Sequence, residues 1–141
     1  DHEEIVLRRA EKVARVADFM PETDVTGPEQ GELLVLGWGG TYGAIAAASE
    51  QAQQEGLSVA CAHLRYLSPF PKDLGNILGR YRQVLVPELN LGQLSMLIQA
   101  RYPVRVIPLN KVQGQPFTIR EVLEKIRSIL SLNGSTGPEG R

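Results

Sequence analysis

The sequence has little cysteine, little histidine and no excess of either charge. Cys61 is the one cysteine among 141 residues. A single thiol excludes an internal disulfide framework and any zinc or iron–sulfur site built from cysteines alone. The two histidines, His2 and His63, leave no plausible imidazole pair for a metal. Fifteen Lys and Arg against sixteen Asp and Glu give a net charge of -1. That balance provides no electrostatic case for binding DNA, RNA or an anionic membrane.

Long apolar runs are also missing. No run approaches the roughly 18 residues that span a bilayer, and the charged first residues contain no signal-peptide core. We therefore expect a soluble, cytoplasmic chain with no membrane or nucleic-acid partner. Hydrophobic residues make up 43% of the chain and charged residues 22%, the proportions of an ordinary globular domain. Because the chain begins at Asp1 rather than Met, we also expect it to be a piece of something longer.

The chain divides into three parts. Residues 1–31 are predicted to be an N-terminal helix and connector, residues 32–132 an α/β domain, and residues 133–141 a flexible tail. Apolar residues at three- or four-residue spacing predict that the helix runs to about residue 20. The connector is rich in turn-forming residues and has room for at most a short edge strand near 23–26.

Short apolar runs alternate with helical stretches in the second part. Because the runs are mostly continuous rather than alternating, they indicate strands that are covered on both faces, as in a parallel sheet. The expected fold is a three-layer α/β/α sandwich with four strong strands and room for a fifth. The predicted strands are 33–36, 59–64, 84–86 and 104–107, and the predicted helices are 44–55, 72–81, 91–101 and one that follows a Thr118-x-x-Glu121 capping box.

Ligands of open parallel sheets gather at the carboxyl ends of the strands, so the residues after each run are the candidate site. The glycine-rich stretch 37–43 follows a strand and opens a helix, which is the setting of a phosphate-binding turn. It lacks the Walker lysine and the third glycine of a dinucleotide fingerprint, so a tight, closely packed turn is the favoured alternative. The candidates in this stretch are Gly39, Gly40, Thr41 and Tyr42.

Two basic residues and a histidine lie at or just after the ends of the other apolar runs. His63 has acid–base chemistry, but nothing places a nucleophile or carboxylate beside it, so a core or interface histidine is favoured. Cys61, predicted to share its sheet face, is interpreted as a small buried hydrophobe. Arg65 and Lys111 directly follow strands and are candidates for clamping a carboxylate or phosphate. Solvated or interface charge is the alternative for both.

Two polar residues complete the candidate ligand-binding or interface set. Asn90 lies before the third predicted helix, where it fits an N-cap with Gln93 as the third helical residue, an explanation that requires no ligand. Gln113 lies in the loop after the last strand. No catalytic or metal-binding residue is predicted.

Four strand-end segments, in order and in register, carry a family resemblance. They look like the C-terminal domain of the alpha subunit of 2-oxoacid:ferredoxin oxidoreductases, the 2-oxoglutarate type in particular. The resemblance extends from about Glu3 to Leu130, and it implies a fold like the transketolase C-terminal domain, with a five-stranded, mostly parallel sheet whose first strand is an antiparallel edge. The segments are 37–43, 63–71, 86–94 and 109–117.

The resemblance also implies a reaction for the parent enzyme. Enzymes of this family oxidatively decarboxylate a 2-oxoacid with coenzyme A to acyl-CoA, carbon dioxide and reduced ferredoxin, using thiamine diphosphate with magnesium and iron–sulfur clusters. This chain has neither a Gly-Asp-Gly…Asn-Asn motif nor cysteines for a cluster. We therefore expect a non-catalytic structural and interface domain that binds no cofactor itself. Its expected partners are the other domain of the alpha subunit and the beta subunit, with ferredoxin as a partner of the parent enzyme.

Other functions remain open at this point. The chain fits an autonomous anion- or nucleotide-binding module that uses the 37–43 turn with Arg65 and Lys111. It also fits the equivalent domain of a transketolase or a 2-oxoacid dehydrogenase, although the 109–117 segment favours the ferredoxin-linked family. A homodimer is a further possibility, because missing partner domains leave apolar surface.

Overall fold

A computed structural model describes residues 18–89, 92–111 and 115–134, the last three as backbone only. The predicted N-terminal helix therefore lies almost wholly outside the described residues, as does most of the predicted tail. The elements are β1 (Val25–Thr26), β2 (Gly31–Trp38), a 3-10 turn (Gly39–Thr41), α1 (Tyr42–Gln54), β3 (Val59–Leu64), α2 (Leu74–Leu78), β4 (Tyr81–Glu88), α3 (Gln93–Arg101), β5 (Val106–Asn110) and α4 (Ile119–Gly134).

Five strands form one sheet in the order β1-β3-β2-β4-β5. Strand β2 is parallel to both β3 and β4, and β4 is parallel to β5. Strand β1 is the antiparallel edge, pairing Val25 with Ala62 and Thr26 with Cys61. The α/β class, the mostly parallel sheet and the short edge strand near 23–26 are confirmed.

The continuous apolar runs arise because both faces of the sheet are buried. Along β2, Leu33 and Val35 belong to a core cluster with α1 and α4, whereas Leu34 and Leu36 point to a second cluster with α2 and α3. All four are 0% exposed. Each fully buried side chain of this kind stabilises the fold by about 1.5–3 kcal/mol through removal of apolar surface from water. Among the described residues, no helix combines the length and apolar character needed to cross a bilayer.

Strands β2 and β4 extend beyond the predicted 33–36 and 84–86, and other predicted boundaries were also wrong. Helix α2 is shorter than the predicted 72–81, because Tyr81 begins β4 and its hydroxyl donates to the Pro28 carbonyl at 2.6 Å. Strand β5 begins at Val106, two residues later than predicted, since the Val104 N–H closes a turn onto the Tyr102 carbonyl.

The start of α3 was also predicted wrongly. Gln93 is its first residue and Gly92 its N-cap, with φ +86, so Gln93 is not the third helical position of a cap by Asn90. Asn90 itself lies outside the described residues.

Candidate functional site

The order in which the chain adds strands to the sheet reverses between β2 and β4, and this leaves a crevice at the carboxyl ends of these two strands. The chain goes from β2 to β3 on one side and then crosses to β4 on the other, so the loops after β2 and β4 separate. Residues 38–41, Glu88 and Leu89 line a crevice of about 200 Å³ there. Three predicted site residues, Gly39, Gly40 and Thr41, lie at this switch point.

The glycine turn at the crevice has two conformational requirements. Gly39 adopts φ +64, which favours glycine, and a Cβ added to Gly37 would collide with the end of the Ile45 side chain. A Cβ on Gly40 would meet nothing within 4 Å. The Thr41 hydroxyl donates to the Trp38 carbonyl at 3.0 Å and closes the turn. Close packing therefore explains why position 37 is glycine, and the tight turn explains why position 39 is glycine. Neither explains the glycine at position 40.

Glu88 is a buried carboxylate that the sequence analysis did not select. It is 2% exposed at the end of β4. Its carboxylate accepts the backbone N–H groups of Leu94 and Ser95, both at 2.9 Å, and the Ser95 hydroxyl at 3.0 Å. The two N–H groups belong to the first turn of α3 and have no acceptor within the helix. Glu88 therefore has the capping role that was predicted for Asn90. The available signal was an acidic residue ending an apolar strand shortly before a helix.

A larger cleft lies at the carboxyl end of β3. It has a volume of about 360 Å³ and forms where residues 21–24 and 63–66 continue past the β1–β3 pairing. We call it the β3 cleft. Three predicted residues, Tyr42, His63 and Arg65, come together here. The full lining consists of Pro21, Glu22, Thr23, Asp24, Tyr42, His63, Arg65, Tyr66 and Pro71.

Tyr42, His63 and Cys61 form a packed group beside this cleft. The Tyr42 and His63 rings stack with centroids 4.5 Å apart and an interplanar angle of 18°. The Tyr42 hydroxyl lies 3.9 Å from the Cys61 sulfur, which confirms that Cys61 and His63 share one sheet face. The His63 Nε2 atom is buried without a hydrogen-bond partner among the described residues.

The electrostatics of the group favour the uncharged forms. Burial, followed by the nearby Arg65 guanidinium, lowers the pKa of His63, while the Gly39 backbone opposes the shift. Burial raises the pKa of the Cys61 thiol, and the nearby hydroxyls of Tyr42 and Ser49 oppose this shift. Burial, followed by Cys61, also raises the pKa of Tyr42. At neutral pH the group is therefore a neutral imidazole, thiol and phenol, none of them activated as a nucleophile.

The outer wall of the β3 cleft is fixed to the start of α2. The Asp73 carboxylate accepts the Thr23 N–H at 2.8 Å and the Thr23 hydroxyl at 2.9 Å. The adjacent Lys72 pairs with Asp18 at 2.8 Å on the exposed surface. These contacts hold residues 21–24 in place, so the cleft has a defined shape.

The remaining predicted residues do not join the cleft. Lys111 Nζ lies 2.8 Å from Glu121 Oε1 and donates to the Pro116 carbonyl at 3.1 Å, so it has partners within the chain. It follows β5, whereas Arg65 follows β3, and the three strand spacings between them amount to about 14 Å. The structure thus does not bring Arg65 and Lys111 together. Asn90 and Gln113 lie outside the described residues.

The donor atoms present do not fit the cofactors of a thiamine and iron–sulfur enzyme. Within the described ranges, no group of three or more His, Cys, Asp or Glu side chains is arranged to hold a metal ion. The single thiol, Cys61, is buried in the core. Neither a cluster nor a magnesium-bound diphosphate has its usual ligands in this part of the chain.

Comparison with known sequences places residues 31–122 in the family described as pyruvate:ferredoxin oxidoreductase core domain II. The chain is 42% identical over 132 residues to the 2-oxoglutarate oxidoreductase subunit KorA of Mycobacterium tuberculosis, covering 93% of this chain and 20% of that protein. It is 33% identical over 110 residues to subunit alpha of 2-oxoacid:ferredoxin oxidoreductase 1 of Aeropyrum pernix, covering 74% of this chain and 17% of that protein. The chain thus spans about a fifth of the length of these relatives.

Solved structures give the same match. The 2-oxoglutarate:ferredoxin oxidoreductase from Magnetococcus marinus, solved with 2-oxoglutarate, coenzyme A and succinyl-CoA bound, superposes with a TM-score of 0.84 at 30% identity, over 92% of this chain and 23% of that one. A split-gene transketolase gives a TM-score of 0.59 at 18% identity, over 77% of this chain and 42% of that one, which shows a shared fold.

Proposed function

This chain belongs to the pyruvate:ferredoxin oxidoreductase core domain II family, and we propose that it is the C-terminal structural and interface domain of the alpha subunit of a 2-oxoglutarate-type 2-oxoacid:ferredoxin oxidoreductase. The resemblance carried by its four strand-end segments is thereby confirmed. The parent enzyme would convert a 2-oxoacid and coenzyme A to acyl-CoA, carbon dioxide and reduced ferredoxin. The 42% identity to a 2-oxoglutarate oxidoreductase subunit supports this substrate class.

The exposure of large apolar side chains is the observation that carries the interface role. Met96 and Leu97 on α3 are 67% and 48% exposed, although α3 buries its opposite side in the core. Trp38, at the carboxyl end of β2, is 38% exposed, and Ile119, at the first turn of α4, is 45% exposed. These side chains lie on both helical layers and at the end of β2, so they support contacts with more than one partner domain.

The path of the chain supports a partner at the carboxyl edge of the sheet. Residues 18–24 run along this edge and are tied to Asp73 through Thr23. The first described residue, Asp18, pairs with Lys72 beside the start of α2, which is where the chain enters the described domain. We infer that the preceding domain of the alpha subunit approaches this domain at the start of α2, with the beta subunit as a further neighbour.

The cofactors of the parent enzyme would belong to those other parts. Thiamine diphosphate, magnesium and iron–sulfur clusters supply carbanion stabilisation and electron transfer when bound. The donors described above do not fit them, so this domain would contribute surface and rigidity. Ferredoxin would dock on the assembled cytoplasmic enzyme.

A domain exchange tests the proposal. These 141 residues would replace the matching 132 residues of the M. tuberculosis KorA subunit, and assembly and 2-oxoglutarate-dependent reduction of an electron acceptor would be measured. We expect the chimera to assemble and retain activity, and Trp38→Glu with Ile119→Glu to abolish assembly. Arg105→Ala, at the opposite end of the sheet, is the control expected to assemble normally. A folded chimera that fails to assemble would contradict the proposal.

A further inference from the structure

The β3 cleft has features that an interface role does not require. Its volume of about 360 Å³ lies within the range of small-molecule sites, and it opens at the carboxyl end of a strand in a parallel sheet. Its outer wall is fixed by both oxygens of Asp73 rather than left as a loose loop. It is therefore a built cavity with a defined lining.

Charges of opposite sign face each other across the cleft. The wall formed by residues 21–24 carries the carboxylates of Glu22 and Asp24, and the wall formed by residues 63–66 carries the Arg65 guanidinium. All three side chains are exposed, and none forms an ion pair within 4.0 Å with another described residue. A ligand recognised here must therefore present an anionic group at one side and hydrogen-bond donors at the other.

Aromatic surface lies between these walls. Tyr66 is 47% exposed, and the stacked Tyr42 and His63 rings line the interior. The Tyr42 hydroxyl is directed at Cys61, so this residue contributes mainly a ring face. A planar, polarisable group packs well on such surfaces.

We propose that the β3 cleft binds a ribonucleoside monophosphate. Arg65 would pair with the phosphate, because a guanidinium presents two parallel donors to its oxygens. Asp24 and Glu22 would accept hydrogen bonds from the ribose hydroxyls, as acidic residues do in dinucleotide sites. Tyr66 would stack on the base. This inference does not depend on the parent enzyme's reaction.

The described lining of the cleft contains one guanidinium, which limits the number of phosphates that can be paired. One guanidinium faces two carboxylates, so each further phosphate adds repulsion without a further cation. The same chemistry is present in a free mononucleotide and in the nucleotide part of coenzyme A, which carries additional phosphates. We therefore expect the free mononucleotide to bind more tightly than either coenzyme A or a nucleoside triphosphate.

Calorimetry on the 141-residue chain tests the ligand class. The probes are AMP, adenosine, 2′,3′-dideoxy-AMP, ATP and coenzyme A. We expect saturable binding of AMP, with affinity lower by about tenfold or more for adenosine and for the dideoxy compound, because each lacks one recognised group. Tighter binding of coenzyme A than of AMP would identify the cofactor as the source and overturn the selection of a single phosphate.

Variants test the location. Arg65→Ala is expected to weaken AMP binding by about tenfold or more while leaving adenosine unchanged, and Asp24→Asn is expected to weaken AMP but not the dideoxy compound. Arg105→Ala, at the other end of the sheet, is the matched cation control. Amide shifts in the NMR spectrum should centre on His63, Arg65 and Tyr66. No AMP binding at millimolar concentration, or binding that survives Arg65→Ala, would overturn the proposal.

Discussion

The carboxylate of Glu88 holds Ser95 by two hydrogen bonds, from its backbone N–H at 2.9 Å and from its hydroxyl at 3.0 Å. Glu88 is 2% exposed and Ser95 is 4% exposed, so water does not compete for these groups. The last residue of a central strand thus fixes the start of the helix that follows it. This relationship, together with the Leu94 N–H bond at 2.9 Å, sets the position of α3 and of its exposed apolar side.

Glu88→Ala is expected to lower the free energy of unfolding by about 3 kcal/mol, because it leaves buried N–H groups at the start of α3 without an acceptor. Glu88→Gln retains one acceptor oxygen and should lose less. Ser95→Ala removes the hydroxyl bond alone and should cost about 1 kcal/mol. Urea unfolding followed by Trp38 fluorescence measures all three. Equal losses for Ala and Gln would show that the negative charge, rather than the acceptor geometry, is what α3 needs.

Asp73→Ala should release the outer wall of the β3 cleft. It removes the acceptors of both Thr23 bonds, and we expect the protein to lose about 1–2 kcal/mol of stability. The Thr23 amide should exchange with solvent faster, while amides of β2 remain protected. Lys72→Ala removes only the exposed pair with Asp18 and is the control, with an expected change below about 1 kcal/mol. Unchanged exchange at Thr23 in Asp73→Ala would contradict this account of the wall.

The features predicted well from the sequence are those that depend on local pattern. Continuous apolar runs such as 33–36 correctly identified strands buried on both faces, and the Thr118–Glu121 capping box forms as predicted, with bonds of 2.8 and 3.1 Å. Other boundaries depend on tertiary contacts. Tyr81 belongs to a strand because it pairs with Gly31, 50 residues earlier, which no local pattern reveals.

The candidate site was predicted only in part for the same reason. Strand ends identified Tyr42, His63 and Arg65, which do meet in one cleft. The order of the strands decides which ends are neighbours, and it separates Lys111 from Arg65. Glu22 and Asp24 reach the cleft through the antiparallel pairing of β1 with β3, a contact between segments far apart in sequence. Glu88, which the sequence analysis did not select, lies at a strand end, but its oxygens accept hydrogen bonds from the start of α3.

His63 should make stability depend on pH near neutrality. Its pKa is lowered from the ordinary value of 6.5 by burial and by Arg65, so the folded state binds the proton more weakly than the unfolded state. The stability that depends on neutral His63 is therefore fully present above about pH 6.5 and is lost as the pH falls through the folded-state pKa. His63→Phe, which can still stack on Tyr42, should remove this decline between pH 7.5 and about 5. The measurement is the urea midpoint across that window, and a decline that persists in His63→Phe would assign it to another group.

The contact of Lys111 with Glu121 should stabilise α4 in a pH-dependent way. Lys111 Nζ and the Thr118 N–H each lie 2.8 Å from Glu121 Oε1, and these two groups, Lys111 first, lower the pKa of Glu121 from its ordinary value of 4.5. Because the folded-state pKa is depressed, the stabilisation is present above pH 4.5 and disappears as the pH falls through that lower value.

Lys111→Met tests this, since methionine keeps an unbranched apolar stem but removes the ammonium group, which lies 5.8 Å from the centroid of the Phe117 ring. The variant should melt below the wild type at pH 7, and the two melting temperatures should converge as the pH is lowered toward 3. Arg120→Met is the matched control, because its contact with Glu124 is 3.8 Å long and exposed, and we expect little change at any pH. Thr118→Ala, which removes the cap itself, should cost about 1 kcal/mol at pH 7. A constant difference between Lys111→Met and the wild type at every pH would show that the contacts of the ammonium with the Phe117 ring and the Pro116 carbonyl, and not the ion pair, are what Lys111 contributes.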